Sequence, residues 1–85
     1  MAIVTMRYWA AAKDAAGVPE QKLSADTLAA ALAAAAEGGG RDRLAAVLAR
    51  SSFLVDGSPV GRRAAESVLL ADGNVIEVLP PFAGG

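Results

Sequence analysis

The stretch "LADGNVIEVLPPFAGG" (residues 70–85) decides how the rest of the chain is read. Asp72-Gly73 is turn chemistry, because glycine accepts the positive φ that a tight turn demands. Val75 to Leu79 then alternates as a strand, with Ile76 and Val78 on one face and Glu77 and Leu79 on the other. Pro80 has no N–H to donate, so strand pairing ends there. A second proline, one aromatic and finally two residues without side chains follow.

The other end of the chain supplies a matching element. "AIVTMRYW" (residues 2–9) is rich in β-branched and aromatic residues and reads as a strand, with Val4, Met6 and Tyr8 assigned to the core. "AAAKDAAG" predicts a short helix closed by Gly17 in the left-handed conformation, with Pro19 just beyond. "EQKLS" is a weak strand. "ADTLAAALAAAAEGGG" is the clearest helix, capped by Asp26 or Thr27, with Leu28, Ala31, Leu32 and Ala35 as its apolar stripe. Gly38-Gly39-Gly40 ends it as a loop. A second helical stretch places Leu44, Val47 and Leu48 together. Phe53-Leu54-Val55, Asp56-Gly57 and a short strand around Val60 form a hairpin. "RRAAESVLL" (residues 62–70) has no clear period. Strands at both ends with helices between them predict an α+β fold, a mixed sheet packed on one face by helices. The first and last strands are apolar enough to be central neighbours. They would then run parallel, with the helix as crossover.

Composition narrows the chemistry. Eighty-five residues make a single domain (1–85), with residues 80–85 as an extended tail. The chain is 54% hydrophobic and 20% charged, a profile of folding rather than disorder. Net charge is −1 and the tightest basic cluster is Arg62-Arg63, too small for nucleic acid or a polybasic membrane contact. With neither cysteine nor histidine, thiolate chemistry, disulfides and the usual metal ligands are excluded. No signal peptide is visible, and "LAAALAAAA" is too short to span a bilayer, so a cytoplasmic protein is expected. Trp9 lies off the predicted core face. Such a residue more often covers a sheet edge or packs under a helix than marks a contact surface.

The ending then carries most of the functional signal. Two terminal glycines alone fit a frayed end. Here they follow a strand directly, across the stiffening "PPFA". Six residues reach at most about 20 Å when extended, and a tip without Cβ atoms enters a cleft that other residues would block. Gly85 would present an α-carboxylate, with a reference pKa of about 3.3–3.7. That group is a poor electrophile until another enzyme activates it.

These residues resemble the MoaD/ThiS family of sulfur carriers, which have the ubiquitin-like β-grasp fold. "LADGNVIEVLPPFAGG" is similar to the family's C-terminal signature, "MRYWAAAKDAAG" to its first strand and short helix, "DTLAAALAA" to its main helix and "LVDGSPV" to its hairpin. The proline pair resembles the small subunit of molybdopterin synthase more than the thiamine-pathway carrier. The resemblance implies that an E1-like adenylyltransferase adenylates Gly85 with ATP and that a sulfurtransferase supplies the sulfur of a thiocarboxylate. The large subunit of molybdopterin synthase would receive the tail and pass the sulfur to the pterin precursor.

Carried over residue by residue, Gly85 is the reacting position and Gly84 the partner glycine that threads the active site. Pro80, Pro81 and Phe82 lead into the cleft, Leu79 and Val60 match apolar docking positions, and Lys13 stands where the family often has a basic residue. Asn74 departs from the acidic residue that many relatives have. The resemblance implies no cofactor or metal on this chain and no catalysis by it alone. Delivery of sulfur to thiamine, cysteine or tRNA pathways, or attachment to lysines as a protein modifier, remains an alternative. A non-reactive β-grasp binding module is a further one.

Overall fold

The computed structural model describes residues 1–37 and 41–81. The elements run β1 (Ile3–Tyr8), α1 (Ala10–Ala16), β2 (Glu20–Ser24), α2 (Leu28–Ala36), α3 (Asp42–Leu48), β3 (Ser52–Val55), β4 (Ser58–Pro59), a single 3₁₀ turn (Ala65–Ser67) and β5 (Val75–Leu79). The predicted Gly38–Gly40 loop lies outside the described residues.

The strands form one five-stranded sheet in the order β2-β1-β5-β3-β4. β1 and β5 pair in parallel at its centre, Thr5 opposite Val75 through Tyr8 opposite Val78, and the other pairings are antiparallel. This is the expected β-grasp: two strands from opposite ends of the chain lie side by side, and helices cover one face.

Alternation fixes which side chains face the helices. Val4, Met6, Tyr8, Ile76 and Val78 are each at most 2% exposed and pack against Leu28, Ala31, Ala35, Leu44, Val47 and Leu48. Alanine at two of these helical positions lets α2 lie close to the sheet, and the small side chains lose no rotamer entropy on burial. Thr27 caps α2, its Oγ1 accepting the Ala30 N–H at 3.1 Å. Gly17, at φ +79°, closes α1 and donates its N–H to the Lys13 carbonyl, as predicted. No helix among the described residues is long and apolar enough to cross a membrane.

The aperiodic residues 62–70 are shaped by their neighbours. The Val68 carbonyl accepts the Leu28 N–H at 2.9 Å, and Leu70 N–H donates to the Asp26 carbonyl at 2.9 Å. Val68 itself is buried in the core. After the 3₁₀ turn at Ala65–Ser67, strand-like bonds to the start of α2 thus hold this stretch in place.

Candidate functional site

The site is built at the pole of the sheet where β5 ends. β5 is held on both sides, by β1 and by β3, and Leu79 is opposite Ser52 in the last register position. Trp9 closes the same pole from the β1 side. Its backbone N–H donates to the Val78 carbonyl at 3.3 Å, and its indole Nε1–H donates to Glu77 Oε1 at 3.2 Å. The chain then turns into α1, which packs against β5 and α3. Ala10, its first residue, has a positive φ of 48°, where an L-residue is strained.

Of the predicted site residues, Leu79 is half-buried on the open face of the sheet, away from the helices. Thr5, Arg7, Val75, Glu77 and Leu54 share that face through the registers of β1, β5 and β3. Pro80 is half-buried and Pro81 exposed. Phe82, Gly84 and Gly85 lie outside the described residues. Lys13 is exposed in the last turn of α1, a helix that touches β5.

Val60 lies on the helix-facing side of the sheet, opposite Phe53. At 6% exposure it belongs to the core, and its N–H donates to the Phe53 carbonyl at 3.0 Å. That bond continues the β3–β4 ladder one residue past Pro59. Val60 therefore lines a shallow groove with Leu28, Phe53 and Arg63 at the β3–β4 edge, and is absent from the open face. Trp9 is also corrected. It is 47% exposed and lies over the two central strands, neither covering an edge nor packing under a helix.

A polar cluster behind the sheet escaped the sequence reading. Tyr8 Oη donates to Gln21 Oε1 at 2.8 Å, and Arg41 Nη1 donates to the same oxygen at 3.3 Å and to the Ala35 carbonyl at 3.0 Å. Arg41 thereby satisfies a carbonyl near the C-terminus of α2 and ties it to β1 and β2. Burial pushes the Tyr8 phenol above its ordinary pKa, and the nearby Arg41 charge and hydrogen bond pull partly against that rise.

Chemically, this pole offers a rigid root, an aromatic ring beside it and a mixed face on which Leu54, Val75 and Leu79 stand among Thr5, Arg7 and Glu77. Among its described residues no nucleophile stands next to a base.

The comparisons agree with this geometry. The ThiS family model matches residues 6–85. No curated protein matches the chain. Among solved structures, small archaeal modifier protein 1 from Methanosarcina acetivorans superposes with a TM-score of 0.84 at 25% identity, covering 100% of this chain and 98% of that one. Its counterpart from Haloferax volcanii gives 0.76 at 22% identity, covering 98% and 99%. A complex of subunits 1 and 2 of the molybdopterin-converting factor from Helicobacter pylori gives 0.69 at 23% identity, covering 98% and 99%. The chain belongs to the ThiS family, among the MoaD/ThiS sulfur carriers with the ubiquitin-like β-grasp fold.

Proposed function

We propose that this chain is the sulfur-donating small subunit of a molybdopterin synthase and acts in the cytoplasm. An E1-like adenylyltransferase uses ATP to adenylate the Gly85 carboxylate. A sulfurtransferase persulfide then displaces AMP, a second thiol reduces the resulting acyl disulfide to a thiocarboxylate and forms a disulfide with the carrier thiol, and a large subunit receives the tail and uses that sulfur. The observation that carries the reading is that the sequence following the central strand β5 runs through two prolines to two glycines, residues small enough to enter a narrow cleft. The proline pair supports the molybdopterin customer. The likeness to a two-subunit molybdopterin-converting factor complex supports a large-subunit partner. Leu79, Pro80, Pro81 and Phe82 would seat in that partner, with Lys13 at the rim and Gly84 threaded beside Gly85. Val60 would support the hairpin from within.

The likeness to small archaeal modifiers favours a second reading, attachment of the tail to lysines. One reconstitution separates them. The protein is incubated with an E1-like enzyme, ATP and a sulfur donor, and its intact mass is followed before and after addition of a large subunit. The O-to-S mass increase, its loss when the large subunit and pterin precursor are added, and its failure without Gly85 are the expected results. Covalent adducts on lysine instead favour the modifier. No change in mass under any condition sinks both readings.

A further inference from the structure

We propose that the free edge of β2 pairs with β2 of a second copy of this chain, antiparallel, in the register that sets Glu20 opposite Lys22 of the other copy. The direction of the backbone groups makes the edge available. In the β1–β2 ladder, Tyr8 N–H donates to the Pro19 carbonyl and Ala25 N–H to the Ala2 carbonyl, each at 2.8 Å. Antiparallel pairs alternate, so Pro19, Gln21, Leu23 and Ala25 point their backbone groups at β1. Glu20, Lys22 and Ser24 therefore point theirs outward. All three are exposed, and β2 is the outermost strand. Among the described residues no backbone pairs with that side. Pro19, the one residue nearby without an N–H, falls on the inward set and does not interrupt the edge.

Charged side chains ordinarily protect such an edge from pairing. Here their signs alternate, and that leaves one favourable arrangement. Outward residues must face outward residues, so Lys22 can meet Lys22, Ser24 or Glu20 of the second copy. The first choice sets like charges directly opposite. The second carries both Glu20 residues past the partner's outward positions, leaving them unmatched. The third produces two Glu20–Lys22 pairs by the two-fold axis, with Gln21 facing Gln21. Lys22 makes no ion pair among the described residues, and Glu20 is held by a single 3.3 Å contact from its Oε2 to Arg7 Nε, leaving Oε1 available.

The two sheets then join edge to edge as one continuous sheet. β5 lies two strands in from the junction, and the two-fold axis sends the two tails out at opposite poles. The described ends of β5 stay clear of the junction, so this association does not depend on which acceptor the chain serves.

Four variants test the pairing by sedimentation across a concentration series. E20K carries lysine at both 20 and 22, and K22E carries glutamate at both. Each alone is expected to lower the self-association constant about tenfold or more. An equimolar mixture of the two recovers association as a heterodimer, and the double variant E20K/K22E recovers it as a homodimer. K22P removes only an outward N–H, keeps the β1 ladder and abolishes association. A monomeric wild type at its highest soluble concentration would overturn the proposal. So would a mixture that associates no more tightly than its separate components.

Discussion

Trp9 and Glu77, far apart in the sequence, meet on the open face of the sheet, the indole N–H donating to the carboxylate at 3.2 Å. The contact joins the end of β1 to the strand that carries the tail. It makes Trp9, the only tryptophan, a built-in reporter of that pole. Its fluorescence is expected to shift in wavelength or intensity when an activating enzyme or large subunit docks. Trp9→Ala is expected to raise the KM for adenylation with little change in kcat, because the ring lies at the root of the tail and not at its tip. Loss of the bond costs about 1 kcal/mol of fold stability, read by urea unfolding. An unchanged KM would remove Trp9 from the contact surface.

The polar cluster behind the sheet gives stability an alkaline limit. The folded-state pKa of Tyr8 is raised, chiefly by desolvation, above the unfolded value of about 10. The native state therefore holds the phenolic proton more tightly than the unfolded chain does. The contribution is fully present below about pH 10 and is lost as pH rises through the higher folded value. Urea midpoints are expected to fall across that range, and Tyr8→Phe flattens the fall while costing about 1 kcal/mol near neutrality. Because there is one tyrosine, tyrosinate absorbance reads the titration directly.

Thr27 caps α2 through its Oγ1. Thr27→Ala is expected to cost about 1 kcal/mol, lowering Tm by about 4–8 °C in a domain of this size. Thr27→Ser retains the acceptor and most of the stability. An alanine variant with unchanged Tm would show that α2 is held by packing alone.

Asp56 latches the hairpin to β5. Its Oδ1 accepts the Val75 N–H at 2.8 Å and its Oδ2 accepts from Asn74 Nδ2 at 2.6 Å, while its φ of +50° starts the turn that Gly57 completes at +83°. Asp56→Ala loses both bonds and is expected to cost about 1–3 kcal/mol in chemical unfolding. Asp56→Asn keeps an acceptor, suits the positive φ and costs much less. Asn74→Asp sets a second carboxylate beside the first, so it destabilises at neutral pH and regains stability in acid, where one of the pair is protonated.

Sequence reached furthest where a local rule and the tertiary structure agree. The period of two in β1 placed Val4, Met6 and Tyr8 in the core. Gly17 marked the end of α1, Asp56-Gly57 marked the hairpin, and the parallel neighbours β1 and β5 followed from apolar strands at both ends. It failed where long-range contacts decide. The stretch around Val68 takes its form from backbone bonds to Asp26 and Leu28, which no local pattern encodes. Val60 entered only through the family resemblance as an apolar docking position, and its burial follows from the long-range register that sets it opposite Phe53 on the helix-facing side of the sheet. Arg41 sits beyond a glycine run, and nothing in its neighbourhood announces that it reaches both Gln21 and the end of α2.

The central pairing of β1 with β5 also bears on when the protein becomes competent. Thr5 and Val75 come together only after nearly the whole polypeptide has been gathered between them, a closure that is slow and that local contacts do little to prepare. A half-assembled or clipped molecule lacks the middle of its sheet and offers an enzyme a loose string instead of a mounted one. Under the proposed function, integrity of the body would thereby be a condition of entry to the chemistry, and damaged copies would drop out before nucleotide is spent on them.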